Sequence, residues 1–310
     1  MRRIVCIGGA VLDRKYHARQ ALVFGTSNPV EGSRGFGGVA RNVAENLARL
    51  GVPTSFVSIV GDDEDGRALM RHLEALGVDV SQVLTIDDQP TAEYAAILGP
   101  DNGLVLGIAD MGIFDRFGPD QLDRVWPRIA SAYWVFADCN LPEATLAALV
   151  GRKLQAGFKL AVDAVSSPKV LRLPADLSGI DLLFLNNDEG NAMLGRSDPR
   201  DYSAPEETAL RLRERGAAAV VVTMSADGIA LASEKGVTGI ASVPARPVDV
   251  TGAGDAMIAG TLYRISTGDD VMAAIRIGAL AASLTIESKA SVRPDLSTRL
   301  LEANMHRVPA

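Results

Sequence analysis

The feature that most constrains the fold is an alternation. Short apolar runs at 133–137, 159–162, 182–185 and 220–224 are separated by segments of helical spacing at 143–156, 188–194 and 205–215, the last with proline in its first turn. Strands that alternate with helices predict an α/β fold with a doubly wound, mostly parallel sheet. In such sheets ligands bind at the carboxyl ends of the strands. The earlier chain fits the same plan. A buried strand at 3–7 ends at Gly8-Gly9, and Gly35-Phe36-Gly37-Gly38 opens a helix carrying Val39, Val43, Leu47 and Leu50. A strand at 54–60 follows, then a helix opened by Asp62-Asp63-Glu64-Asp65 and lined by Leu69, Leu73 and Leu76. After 224 come a meander at 229–232 and 237–243, two helices at 253–266 and 269–288, and a tail at 295–310 expected to fray. Two segments interrupt the alternation: 13–31, which is polar and irregular, and 89–111. In the second, extended pieces at 91–98 and 104–109 flank Asp101-Asn102-Gly103, a strong hairpin signal. Together these segments predict a small β lid over the open end of the main sheet, within one domain spanning 1–310.

The most informative stretch is Asp249-Val250-Thr251-Gly252-Ala253-Gly254-Asp255-Ala256. It reads as a strand end, a glycine turn and a helix start. Gly252, Ala253 and Gly254 allow a sharp bend and leave amide N–H groups uncovered. The positive end of the following helix points at that bend, so the turn suits anionic oxygens such as those of a phosphoryl group in transfer. Asp255, in the first turn of the helix, is placed to take the proton of a hydroxyl attacking phosphorus. The plain alternative is a glycine turn with a capping aspartate.

The 310 residues, 47% of them hydrophobic and 22% charged, suit an ordinary globular core. A net charge of −7, without a Lys/Arg run interleaved with aromatics, argues against a nucleic-acid or anionic-membrane binder. The apolar start is too short for a secretory signal, and 275–286 is a buried helix rather than a membrane span. Cys6 and Cys139 lie apart in apolar strand-like contexts, which points to reduced thiols and a cytoplasmic location. His17, His72 and His306 have no zinc or Ser-His-Asp spacing. Any metal is therefore a hard cation held by oxygens and phosphates. No Gly-x-G-x-x-Gly follows the first strand and no Gly-x-x-x-x-Gly-Lys-Ser/Thr occurs, which excludes dinucleotide and P-loop folds.

Gly37-Gly38-Val39-Ala40-Arg41-Asn42-Val43-Ala44 and Asp249 to Asp255 resemble the two hallmark motifs of the ribokinase-like (PfkB) carbohydrate kinases. Asn186-Asn187-Asp188-Glu189 resembles that family's Asn-x-x-Glu motif, and Thr223-Met224-Ser225-Ala226-Asp227-Gly228 its nucleotide loop. The four occur in the family's order across essentially the whole chain. The resemblance implies an ATP- and Mg²⁺-dependent kinase with Asp255 as base and the amides of Gly252, Ala253, Gly254 and Asp255 as anion hole. It implies sugar contacts from Asp13, Gly37, Gly38 and Asn42. Asn186 and Glu189 would organise Mg²⁺ and its waters, Glu189 acting through water. Thr223, Ser225 and Gly228 would line the ATP side. Asp249 and Thr251 would contribute to a monovalent cation site, possible for K⁺, completed near 287–291. The plain readings are a turn residue for Asp13, an exposed polar position for Asn42 and a helix-dipole partner for Glu189.

Within the family, Ser27-Asn28-Pro29, 42–51, Ile108-Ala109-Asp110-Met111, 163–169 and Ile286-Glu287-Ser288 resemble pseudouridine kinases. Plain ribokinases resemble the pattern less, because Val39 stands where they commonly carry lysine. That likeness implies a ribose 5′-hydroxyl as acceptor and a uracil face met by Ser27, Asn28, Asp110 and Lys169, whose plain readings are turn residues and a surface lysine. Another sugar or nucleoside kinase, or a nucleoside-binding regulator without catalysis, are the other readings. The lid hairpin, barely stable alone, favours a homodimer joined lid to lid.

Overall fold

The computed structural model describes residues 2–309. Its main sheet has eight strands. From one edge to the other they are Gly236–Ile240, Ile229–Ser233, Val220–Thr223, Leu182–Asn186, Lys159–Asp163, Trp134–Asp138, Ile4–Ile7 and Thr54–Val57. All neighbouring pairs from Val220–Thr223 to Thr54–Val57 are parallel, and the two strands at the other edge are antiparallel. The parallel strands are near-continuous apolar runs because helices cover both faces. Side chains alternate between two cores: Ile4, Cys6, Trp134 and Phe136 face one, Val5, Ile7, Val135 and Ala137 the other. The first core is closed by helices Val39–Arg49, Glu64–Ala75, Ala253–Thr267 and Val271–Ile286. The second is closed by Pro119–Ala130, Glu143–Lys153 and Pro205–Glu214. No described helix is long and apolar enough to cross a membrane. Cys6 and Cys139 are buried and unbridged.

A second sheet is the lid. Its order is Val30–Gly37, Val11–Ala18, Glu93–Leu98, Leu104–Asp110. It begins two residues before the predicted segment and reaches to Gly37, so the expected turn at Gly35–Gly37 is strand and only Gly38 bends. Residues 13–18, expected as irregular, pair regularly on both sides because Asp13 to His17 face Gly35 to Glu31 across one edge and Tyr94 to Leu98 across the other. The hairpin forms with Asn102 at a φ of 63°, the left-handed region that asparagine tolerates.

Three further expectations are corrected. The strand 54–60 breaks at Ser58, whose hydroxyl donates to the Gly8 carbonyl (2.6 Å). Ile59–Gly61 then leaves the sheet to pair with Leu84–Ile86. No strand precedes Asp249; the last strand ends at Ile240 and residues 241–250 are loop. The tail does not fray: helix Thr298–Asn304 is capped by Ser297 and buries Leu301. Beyond it, Arg307 bonds the Pro244 carbonyl (2.6 Å), Ser283 (3.0 Å) and Glu287 (2.8 Å).

Candidate active site

The site forms where strand ends, the lid and two helix N-termini meet. Gly252 is left-handed (φ 79°) and caps the helix Ala253–Thr267. The Ala253 amide turns back to the Val250 carbonyl (3.3 Å). The amides of Gly252, Gly254 and Asp255 make no hydrogen bond within the described residues, so they remain the donors of a helix N-terminus.

Asp255 follows, 8% exposed, and its Oδ2 accepts from Asn42 Nδ2 at 2.6 Å. The two hallmark motifs, 213 residues apart, therefore meet in one hydrogen bond. Burial pushes the Asp255 carboxyl up to about 7; Asn42 and Arg41 pull it down, while Asp138 and Asp13 push it up. A carboxylate poised there suits a general base near neutral pH. Asp13 is a strand residue of the lid packed against Gly37: a Cβ on Gly37 would lie 2.2 Å from Asp13 Oδ2. Burial raises Asp13 to about 6, against the pull of Arg41 and Lys15. Gly38 (φ 95°) lies on the Gly9 carbonyl, which a Cβ would approach to 2.4 Å. So Asp13, Gly37, Gly38, Asn42 and Asp255 form one cluster.

The second cluster lies across the strand ends. Asn186 Oδ1 accepts from the Glu189 amide and Glu189 Oε2 from the Asn186 amide, both at 2.8 Å. This capping box satisfies the helix start, so the plain reading of Glu189 is realised in full. It does not exhaust the residue: Glu189 is buried, its carboxyl is raised by burial against the Asn186 bond, and it acts electrostatically on Asp163. Thr223 pairs with Asn186 across the sheet. Ser225 is left-handed (φ 53°) in the turn Ser225–Asp227, and the Gly228 carbonyl accepts from the Met224 amide (2.9 Å).

Other predicted residues are placed differently. Asp249 Oδ2 meets Lys15 Nζ of the lid at 2.8 Å, and its Oδ1 accepts from the Thr251 amide at 2.9 Å. Burial opposes the ionised form of Asp249, yet Lys15 and Thr251 prevail and hold it below the ordinary range. The Ile286 carbonyl is taken by the Val248 (2.7 Å) and Asp249 (3.2 Å) amides. Asp249 therefore faces an ammonium of this chain. Asn28 folds its amide into its own loop, bonding Val23 and Thr26, while Ser27 and Asp110 are exposed. Lys169 does turn inward, to Asn140 Oδ1 (2.5 Å) and Met111 Sδ (3.3 Å), and burial lowers its ammonium.

Sequence reasoning missed the strand-end groups. Asp138 is fully buried and accepts from the amides of Gly9 (2.9 Å), Ala40 (2.8 Å) and Asn140 (2.9 Å), tying the first strand and the first helix together. Asp163 accepts from Val165 (2.9 Å), a β-branched residue held at a φ of 66°, a conformation that costs energy and clusters at functional sites. Both aspartates end apolar strands, which was the available signal. Among the described residues no three His, Cys, Asp or Glu side chains are grouped to hold a metal. Mg²⁺, which takes few protein ligands and keeps its waters, still fits beside the buried carboxyl of Glu189.

The whole chain matches a family of known chemistry. The model of the pfkB family carbohydrate kinases covers residues 1–299. A pseudouridine kinase of Escherichia coli (strain K12) is 30% identical over 300 residues, 95% of this chain and 93% of that protein. The structure of a carbohydrate kinase from Agrobacterium tumefaciens superposes with a TM-score of 0.87 at 34% identity, covering 100% of this chain and 98% of that one. An Arabidopsis thaliana ribokinase complexed with ribose and ATP shares the fold at 23% identity and a TM-score of 0.84, over 98% of both chains. The chain belongs to the pfkB family of carbohydrate kinases and is an ATP-dependent sugar or nucleoside kinase.

Proposed function

We propose that the protein transfers the γ-phosphoryl group of ATP to the 5′-hydroxyl of pseudouridine, giving pseudouridine 5′-phosphate. The observation that carries the kinase chemistry is the Asp255–Asn42 bond beside the uncovered amides of the 252–255 turn. As the acceptor oxygen forms its bond to phosphorus, its proton passes to Asp255, and the bond to the ADP oxygen breaks. The amides of Gly252, Gly254 and Asp255 hold the phosphoryl oxygens, so charge stabilisation and positioning supply the rate. Mg²⁺, when bound, offsets phosphate charge, with Glu189 holding its waters. Glu189→Gln is expected to lower activity roughly 10- to 100-fold and to weaken the Mg²⁺ titration. An unchanged titration would remove Glu189 from that role.

The choice of pseudouridine is supported by the near full-length likeness to the E. coli enzyme. It is also supported by Lys169, whose ammonium has donors beyond its bond to Asn140 for a base carbonyl. A panel of pseudouridine, uridine, adenosine, ribose and fructose 6-phosphate with ATP tests it, with pseudouridine expected to show the highest kcat/KM. A higher value for ribose would replace the reading with ribokinase, and no transfer to any acceptor would favour the regulator.

The lid supports a homodimer. Its edge strand Leu104–Asp110 is exposed throughout, with Leu104, Val105, Leu106 and Ile108 all more than 45% exposed and Phe24 at 89%. An open apolar edge invites pairing. Sedimentation is expected to give a dimer, and Leu106→Asp a monomer. A monomeric wild-type protein would sink this assembly.

A further inference from the structure

Arg41 is a deeply buried cation near the site. It stands beside Asn42 on the first helix and is 2% exposed. Its guanidinium has a fork of partners. Nη2 donates to the Asn42 side-chain oxygen and to the Phe36 carbonyl, the last turn of the lid strand before Gly37-Gly38. Nη1 donates to Glu45. Glu45 is itself held by Arg49 (2.6 and 2.9 Å) and His72 (3.0 Å).

The consequence for Asn42 is geometric. A carboxamide can present either its oxygen or its NH₂ to a neighbour. Because Arg41 has donors only, it accepts nothing and claims the oxygen. The NH₂ is then forced toward Asp255, where Nδ2 donates at 2.6 Å. We propose that Arg41 is a positioning residue for catalysis, which fixes the Asn42 carboxamide so that it donates to the ionised Asp255 and fastens the lid strand at Phe36 to the same helix.

A stability role explains this arrangement poorly. A buried Arg–Glu pair seldom outweighs its desolvation cost, and apolar replacements are often neutral or stabilising. The Arg41 Nε is moreover buried with no partner, an orphan donor that needs a reason. Charge supplies a second line. The groups facing Asp255 are Asp13 from the lid, Asp138 and Asp163 from the sheet ends, and Asn42 and Arg41 from the first helix. The helix Val271–Ile286 brings only Arg276, which is turned to the Pro309 carbonyl. Arg41 thus sets a positive charge against Asp255 amid three aspartates, while Lys15 of the lid acts on Asp13 and Lys169 on Asp138. Burial disfavours its own charge and lowers its guanidinium, with Glu45, Asp13 and Asp255 acting against that.

The inference rests on Asp255 being the base, which Asp255→Asn tests separately. The variants here are Arg41→Gln, Arg41→Lys and Glu45→Gln, each checked for folding by circular dichroism and assayed for kcat and kcat/KM against pH. Arg41→Gln is expected to lower kcat roughly 10- to 100-fold, as loss of an orienting partner does. It should also move the acid midpoint of kcat/KM up by about one pH unit, because a neighbouring cation is gone. Arg41→Lys should restore the midpoint but not kcat, since an ammonium keeps the charge and loses the fork. Glu45→Gln leaves Arg41 less neutralised, so its midpoint should move down. Arg41→Gln retains Arg49 and His72 around Glu45; should it still fail to fold, the opposite shift in Glu45→Gln decides. A wild-type midpoint in Arg41→Gln, or in Glu45→Gln where the first is unfolded, overturns the proposal. Retained turnover in Asp255→Asn would instead overturn the base assignment.

Discussion

Asp255→Asn is expected to lower turnover by about 10²- to 10⁴-fold, the usual cost of a lost general base. The variant keeps size and a hydrogen-bonding group beside Asn42, so acceptor binding should be largely retained. Two further readouts separate chemistry from misfolding. In the wild type, kcat/KM should fall as pH drops below about 7, where the base becomes protonated. Stability should respond in the opposite sense. The folded carboxyl lies near 7 and the unfolded one near 3.8, so between these values only the folded state holds the proton. Stability from this group is therefore present at low pH and lost as pH rises through about 7. Asparagine has no proton to lose. At pH 8 the variant should unfold at a temperature equal to or above the wild type, with the gap closing towards pH 4. An inactive variant that is also less stable at pH 8 would show that the residue serves packing, and near-wild-type turnover would remove it from the chemistry.

That trade follows from how the site is made. Asp13, Asp138, Asp163 and Asp255 converge in buried positions, an arrangement that raises carboxyl pKa values and lowers stability at neutral pH. The sequence announced only part of it. Runs such as Val220-Val221-Val222 and Leu182-Leu183-Phe184-Leu185 were legible because a strand buried on both faces must be apolar along its length. The helix Val39–Arg49, with Asn42 in its first turn, and the helix opening at Ala253 were legible from glycine and periodicity. The family likeness placed both at one site, but their contact across 213 residues was reported by neither the likeness nor any local pattern. The helix Pro119–Ala130 went unseen although Leu122, Val125 and Ile129 carry its spacing, because Pro127 stands inside it. The break at Ser58 and the docking of Arg307 depend on partners tens of residues away, which no local pattern reports. Arg41 is the clearest such case. An arginine on a helix face is ordinarily solvated, and its burial is accompanied by Glu45, Asp13 and Asp255 acting on it from the helix, the lid and the 252–255 turn.

The anion hole yields the second large effect, through a pair of glycines that differ in what surrounds them. Gly252 sits at a φ of 79°, and a Cβ there would lie 1.8 Å from the Ser291 carbonyl oxygen. Backbone cannot yield as a side-chain tip can, so Gly252→Ala must displace either the turn or the Ser291 segment. The left-handed conformation alone costs an alanine roughly 1–2 kcal/mol, and the clash adds to it. Gly254 is different. It lies in the first turn of the helix, has no left-handed φ, and a Cβ on it would meet nothing within 4 Å. Gly254→Ala should fold as well as the wild type or better, since alanine is favoured over glycine in helices by about 1 kcal/mol. If the open space above Gly254 is where the phosphoryl group travels, the added methyl stands in its way. Both variants should then lose about 10²- to 10³-fold in kcat, the scale of a damaged oxyanion hole. Only Gly252→Ala should also lose thermal stability. A Gly254→Ala enzyme with wild-type kcat would place the transferring group elsewhere, whereas loss of stability in both variants would mean that the 252–255 turn is constrained by packing and that its amides are not aimed at a ligand.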